Sequence, residues 1–161
     1  MMRTPFLSAI ACLTVLWALL AAAGCERDIY DTDVTVVDLE QMRRYQQEAA
    51  ADARIRIVDV RQPEQFRRAH IPGAVNIPLP QISRDHELLA GARRIVFYST
   101  TGTDFLSRAA AKKAMRQRQR GAVEFRGGLE AWVEAGLPLD GEEAQQIEAD
   151  PAPPPQAPAE D

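Results

Sequence analysis

Cysteine and histidine are scarce in this chain. Its 161 residues hold two Cys, Cys12 and Cys25, and two His, His70 and His86. Two cysteines exclude a disulfide-rich scaffold and a self-contained Cys-type zinc site, and two histidines do not make a His-rich metal centre. No metal site and no cofactor is expected. An excess of charge of either sign is lacking too: 19 Lys+Arg against 23 Asp+Glu give a net charge of −4, without the basic surplus of a general nucleic-acid binder. What is present, 46% apolar residues with 26% charged ones, describes one globular domain of ordinary size.

These absences are uneven along the chain. Residues 1–24 carry a single cation, Arg3, no acid, and a nearly uninterrupted apolar run from Pro5 to Ala23. A short positive start, an apolar middle and small residues at the exit are the layout of a secretory signal. The exit reads Leu20-Ala21-Ala22-Ala23-Gly24-Cys25, and its Ala-Ala-Gly-Cys resembles the lipobox of bacterial lipoproteins, with Ala22 where Leu is commoner. That resemblance implies that Cys25 becomes the first mature residue and carries the acyl chains, with residues 25–33 as a tether. The alternative is an uncleaved anchor, since about 20 apolar residues also span a bilayer. Either way the expected location is the bacterial cell envelope, lipid-anchored and outside the cytoplasm, on the periplasmic side where there are two membranes. The expected partners are the membrane, through the lipid on Cys25, and an envelope protein or a small polar ligand, with no nucleic acid.

Residues 141–161 hold five prolines and six acids, with no Lys or Arg. Such a composition buries too little apolar surface to offset its ordering entropy, so a disordered acidic tail is expected there. With Arg3 assigned to the leader and six acids to the tail, residues 26–140 keep 18 basic and 17 acidic residues. The unit expected to fold, residues 34–140, is therefore close to neutral.

Strand and helix signals alternate through that unit. Val34–Val37 is a β-branched run, and Asp38 with Gln41 three residues on fits a cap opening a helix to about Ala49. Ile55–Val60 reads as a buried strand, Pro63–Arg67 as a short helix with Pro in its first turn, and Ala74–Ile77 as a brief strand. Ile95–Tyr98 is a fourth strand, and a Thr- and Gly-containing loop leads into a helix from about Phe105 to Gln119. Gly121 is read as ending that helix, and Val123–Phe125 as a fifth strand. A last helix, Leu129–Ala135, closes at Gly136. The expectation is a single α/β domain with an about five-stranded, mostly parallel sheet and helices on both faces.

Two blocks carry a family resemblance. Residues 57–78 read Ile-Val-Asp-Val-Arg-Gln-Pro-Glu-Gln-Phe-Arg-Arg-Ala-His-Ile-Pro-Gly-Ala-Val-Asn-Ile-Pro, and residues 125–138 include Arg126-Gly127-Gly128, Trp132 and Ala135-Gly136-Leu137-Pro138. Both resemble the rhodanese-like (sulfurtransferase) family, whose pattern has Gly where Ala69 stands. The motif residues Asp59, Arg61, Glu64, His70 and Gly73 read as structural. Gly73 supplies a backbone angle that other residues resist, and Pro72 stiffens the turn. Asp59 and Arg61 point to one face of a strand end and can pair with each other, with Glu64 or with His70. His70 is read as a satisfied partner in that polar knot rather than a general base. His86 lies in an unpatterned stretch and is expected to be exposed.

The resemblance also implies where the chemistry belongs. The family's nucleophile is a Cys directly after the fourth strand, opening a Cys-x-x-Gly-x-Arg loop whose amides and following helix N-terminus favour a thiolate or persulfide. Here the loop reads Ser99-Thr100-Thr101-Gly102-Thr103-Asp104. An alcohol does not ionise near neutral pH without an adjacent base, and an oxygen cannot carry a sulfane sulfur as a persulfide does. Asp104 replaces an Arg. At about 5 Å and an effective dielectric near 20, like charges repel by roughly 3 kcal/mol, which weakens anion binding on the order of a hundredfold. Residues 26–161 contain no other Cys, so nothing replaces the nucleophile. The expectation is a catalytically silent rhodanese-like module that binds or scaffolds, the loop being either a polar notch or a plain connector. The alternative is a sulfurtransferase-related enzyme acting through the Ser99–Asp104 loop. Arg108, Lys112, Arg116 and Arg120 recur every four residues after the loop, a basic stripe that reads as a solvated face or as a surface for anionic lipid or the acidic tail.

Overall fold

The computed structural model describes residues 28–83 and 85–149. Residues 1–27, with Cys12, Cys25 and the signal and lipid-attachment expectations that fall on them, and the residues from Asp150 onward lie outside them. Among the described residues no helix is long and apolar enough to cross a membrane.

Five strands, β1 (Val36–Val37), β2 (Ile55–Asp59), β3 (Val75–Asn76), β4 (Arg94–Tyr98) and β5 (Ala122–Phe125), alternate with helices α1 (Leu39–Ala49), α2 (Pro63–Arg68), α3 (Leu106–Arg116) and α4 (Gly128–Glu134); α5 (Ala144–Ala149) follows. The sheet order is β1-β5-β4-β2-β3, and every ladder is parallel. Parallel strands need cover on both faces. In β4, Val96 and Tyr98 join Met42 of α1, Trp132 of α4 and Ala144 of α5 in one core. Ile95 and Phe97 alternate to the other face and meet Ala110, Ala111 and Ala114 of α3. Helix α1 starts as its sequence indicates, with the Asp38 carboxylate accepting from the Gln41 amide at 2.8 Å. The fold class expected from the sequence is the one observed.

Several boundaries differ, each for a local reason. Helix α3 stops at Arg116, and Arg118 takes a left-handed backbone (φ 68°). Gly121 therefore does not end the helix; a Cβ there would lie 2.0 Å from the Arg93 carbonyl oxygen, so the position serves close approach of two backbones. His86 is half-buried rather than exposed, its Nδ1 accepting from the Leu88 amide at 3.3 Å at the start of a 3-10 turn. The chain also remains ordered past residue 140. The Glu142 and Glu143 amides donate to the Arg67 and Arg68 carbonyls, Glu143 pairs with Arg68 at 2.9 Å, and Ala144 is buried. Composition averaged over 141–161 hides the apolar pair Ala144 and Ile147, spaced to share one helix face.

Because the strands are parallel, their carboxyl ends line one edge of the sheet. Arg61 and Ser99 both lie at that edge, beyond the ends of the paired strands β2 and β4. In open α/β sheets this edge is where ligands bind.

Candidate functional site

The loop after β4 is held from below. The Ser99 and Thr100 carbonyls accept from the Leu129 and Glu130 amides at 2.8 and 3.0 Å, so the start of α4 fastens the loop. That approach explains Gly128: its φ is +65°, and a Cβ would fall 2.6 Å from the Thr100 carbonyl oxygen. Gly102 faces the same constraint from the other side, where a Cβ would meet the Arg126 carbonyl oxygen at 2.8 Å. Gly128 thus belongs to the loop's support as much as to the helix it opens.

Within the loop, Asp104 is the hub. Its Oδ2 accepts from the Ser99 hydroxyl at 2.6 Å and from the Thr100 and Thr101 amides at 3.1 and 3.2 Å. Its Oδ1 accepts from the Leu106 amide, the first of α3, at 3.1 Å. The carboxylate at residue 104 therefore occupies the ring of donors that the loop and the helix N-terminus create. The sequence led to a negative charge repelling anions from this cradle. The structure goes further and puts that charge inside it. Ser99 is 1% exposed. Thr101 and Thr103 turn to each other, Oγ1 to Oγ1 at 2.9 Å, and the turn into α3 runs through Phe105 with φ 56°, a left-handed conformation that a bulky residue adopts only under constraint.

The motif residues around β2 form a second cluster. Arg61 donates to both carboxylate oxygens of Asp59, at 2.9 Å from Nε and 2.6 Å from Nη2, and Nη2 also reaches the Ala69 carbonyl at 2.7 Å. Both side chains are buried. Burial works against the Arg61 charge, but the Asp59 carboxylate outweighs it and raises the guanidinium pKa. Tyr98 abuts this pair, and burial first, then the Asp59 charge, push its phenol well above the usual range. Asn76 ties the backbone of Asp59 and Arg61 together through its Nδ2. Of the partners open to Asp59 and Arg61, they choose each other. Glu64 stays at the surface, 3.8 Å from Arg67. His70 is satisfied, but outside the knot: its Nδ1 donates to the Phe66 carbonyl at 2.8 Å, and its ring stacks on Phe66 with centroids 3.8 Å apart. Gly73 has φ +77°, the angle its turn requires.

A third cluster lies under α3. Glu124 is buried in β5, its carboxylate accepting from Ser107 at 3.2 Å and from Arg108 Nε and Nη2 at 3.1 Å, with Arg126 at 3.5 Å. Asp31 extends it, 2.7 Å from Lys112 and 3.8 Å from Arg108. Two members of the basic stripe are therefore neutralised by the domain's own acids, and the first part of the tail meets Arg68 on α2 instead. The lone acid in the apolar run Ala122-Val123-Glu124-Phe125 was the available signal for this cluster. Among the described residues no group of three or more His, Cys, Asp or Glu is arranged to hold a metal ion.

Comparison with known proteins agrees with this architecture. The family model for the rhodanese-like domain matches residues 38–135. An HTH-type transcriptional regulator of Mycobacterium tuberculosis, Rv0324, is 35% identical over 86 residues, 53% of this chain and 38% of that protein. A sulfurtransferase of Allochromatium vinosum is 30% identical over 83 residues, 52% of this chain and 76% of that protein. The crystal structure of BH2092 from Bacillus halodurans superposes with a TM-score of 0.62 at 25% identity, covering 70% of this chain and 80% of the other. The chain spans between 38% and 56% of the length of three curated relatives that it matches. A family match over most of the described residues, on a sheet and loop of this form, carries the conclusion: the chain belongs to the rhodanese-like domain family and is related to the sulfurtransferases.

Proposed function

We propose that this protein is a membrane-anchored, catalytically silent rhodanese-like domain of the bacterial envelope, a binding or scaffolding module whose site is the Ser99–Asp104 loop. One observation carries the silent part of the reading. The Asp104 carboxylate accepts the Ser99 hydroxyl at 2.6 Å and the loop amides beside it, so the donors that a sulfur anion would need are already engaged. The absence of any Cys in residues 26–161 supports the same reading. The short Ser99–Asp104 contact also favours a second reading, a hydrolytic or transfer activity with Asp104 as the base for Ser99. Against it, Ser99 is 1% exposed, and Oδ2 already accepts two amides besides the hydroxyl.

Persulfide labelling and thiosulfate:cyanide turnover separate the two. The silent reading expects neither from the native protein. It also expects Ser99→Cys combined with Asp104→Arg to gain persulfide loading, because the supporting glycines and α4 contacts are in place. A stable persulfide or turnover in the native protein overturns it. The anchor rests on the leader and on Cys25; the mass of the mature N-terminus is expected to show an acylated Cys25 with residues 1–24 removed.

A further inference from the structure

Among the described residues four large apolar side chains are exposed: Tyr30 (65%), Val36 (42%), Phe105 (67%) and Leu106 (37%). They come from three parts of the chain, and the contacts bring those parts to one face. Tyr30 precedes Asp31, which is fastened to α3 by Lys112 and Arg108. Val36 pairs with Glu124 across the parallel ladder, so the two side chains share a sheet face, and Glu124 points to Ser107 and Arg108 of α3. Phe105 and Leu106 begin that same helix, Phe105 lying on the Arg108–Lys112 stripe three residues ahead of Arg108. Exposed apolar side chains gathered in this way, with a polar rim, mark an interaction surface.

The chain itself indicates what covers it. Asp28, the first described residue, stands three residues after Cys25, and covalent geometry limits that stretch to about 11 Å. Asp31 is held to α3, so the patch lies close to any lipid attached at Cys25. We infer that this face, Tyr30, Val36, Phe105 and Leu106, docks on the bilayer that carries Cys25, with the aromatic rings entering the interfacial zone. The inference rests on the lipid-anchor reading. Exposed Phe and Tyr at a lipid interface gain apolar contact at one end while their surroundings stay wet. Phe105 fits this use: its left-handed backbone presents an uncovered ring at the head of the helix, and strain of that kind gathers at functional positions. Asp31 and Glu124 already answer Arg108 and Lys112, so insertion is carried by apolar contact and needs no anionic lipid. Docking this way sets the Ser99–Asp104 loop, which ends next to Phe105, at the headgroup level.

The test uses the mature protein reconstituted in phosphatidylcholine vesicles with brominated acyl chains, reading tryptophan emission. Trp132 is buried and gives the background. Phe105→Trp is expected to be quenched about twofold more than the parent, while Glu134→Trp, on the opposite face in α4, adds no quenching. Equal quenching at both positions, or none at 105, overturns docking and leaves the patch to a protein partner. The N-terminal mass of the same sample reads the anchor separately: an unacylated Cys25 removes the lipoprotein reading, whereas docking is scored by the difference between two sites.

Discussion

Two polar clusters sit at the carboxyl edge of neighbouring strands, and they differ in what the chain has kept. At the end of β2, Asp59 and Arg61 match the family pattern residue for residue and form a buried, bidentate pair braced by Ala69 and Asn76. Beyond β4, Ser99 and Asp104 depart from the pattern at both reactive positions, yet they too are fully hydrogen-bonded to each other and to the loop. The first cluster holds the framework. The second holds the place where a reaction would occur, and the chain has filled it with its own anion. The proposed binding role rests on this contrast: the residues at the reactive positions differ from the family pattern, while the loop's supports, among them Gly128, whose Cβ would fall 2.6 Å from the Thr100 carbonyl oxygen, are in place.

The largest effect should follow from breaking the framework. Arg61→Met leaves the Asp59 carboxylate buried without its partner, and removing one member of a buried pair costs about 3–5 kcal/mol. Chemical denaturation should show that loss. A cost under about 1 kcal/mol would mean that the pair is no more than an ordinary surface contact.

Emptying the loop should cost less stability and change binding more. Asp104→Ala removes the acceptor at the head of α3, a loss of about 1 kcal/mol by analogy with helix caps. It frees the Thr100, Thr101 and Leu106 amides and removes a repulsion of roughly 3 kcal/mol, so sulfate or thiosulfate should bind on the order of a hundredfold more tightly than to the parent. Calorimetry measures this directly. Unchanged anion affinity would mean that the Asp104 carboxylate does not control the cradle.

Much of this is legible in the sequence. The strand and helix alternation, the Asp38 cap and the glycine at residue 73 follow from local physics that a short window contains. Ser99 and Asp104 stood out because a six-residue loop keeps its register through Gly102. What the sequence left open involves distance along the chain. The Asp59–Arg61 choice depended on Glu64 and His70 being drawn elsewhere, to Arg67 and to the Phe66 carbonyl. Gly121 and Gly128 answer backbones that are remote in sequence, Arg93 and Thr100. The Glu124 cluster joins β5, α3 and the segment before β1, and no window covers all three. Asp104's own occupancy of the cradle needed geometry, because the residue type alone says only that the site is negative.

The smallest effect belongs to the outermost link, Asp31 on Lys112. The hydrogen bond from Lys112 lowers the Asp31 carboxyl pKa below its ordinary value of 3.8; desolvation works against it, and the charges of Lys112 and then Arg108 add to the lowering. A lowered folded pKa means that the link is present above the ordinary value and is lost as pH falls through the lowered one. At pH 7 Asp31→Asn should leave the thermal midpoint almost unmoved, since exposed ion pairs contribute little. Amide exchange of residues 30–34 should nevertheless quicken, because the Val34 amide donates to the Asp31 carbonyl in the 3-10 turn that this link anchors. In the parent the same quickening should appear only in acid below the ordinary carboxylate range. If exchange in this segment is identical in parent and Asp31→Asn at pH 7, the ion pair does not fasten the segment before β1 to α3, and the gathering of Tyr30 with Phe105 loses its support.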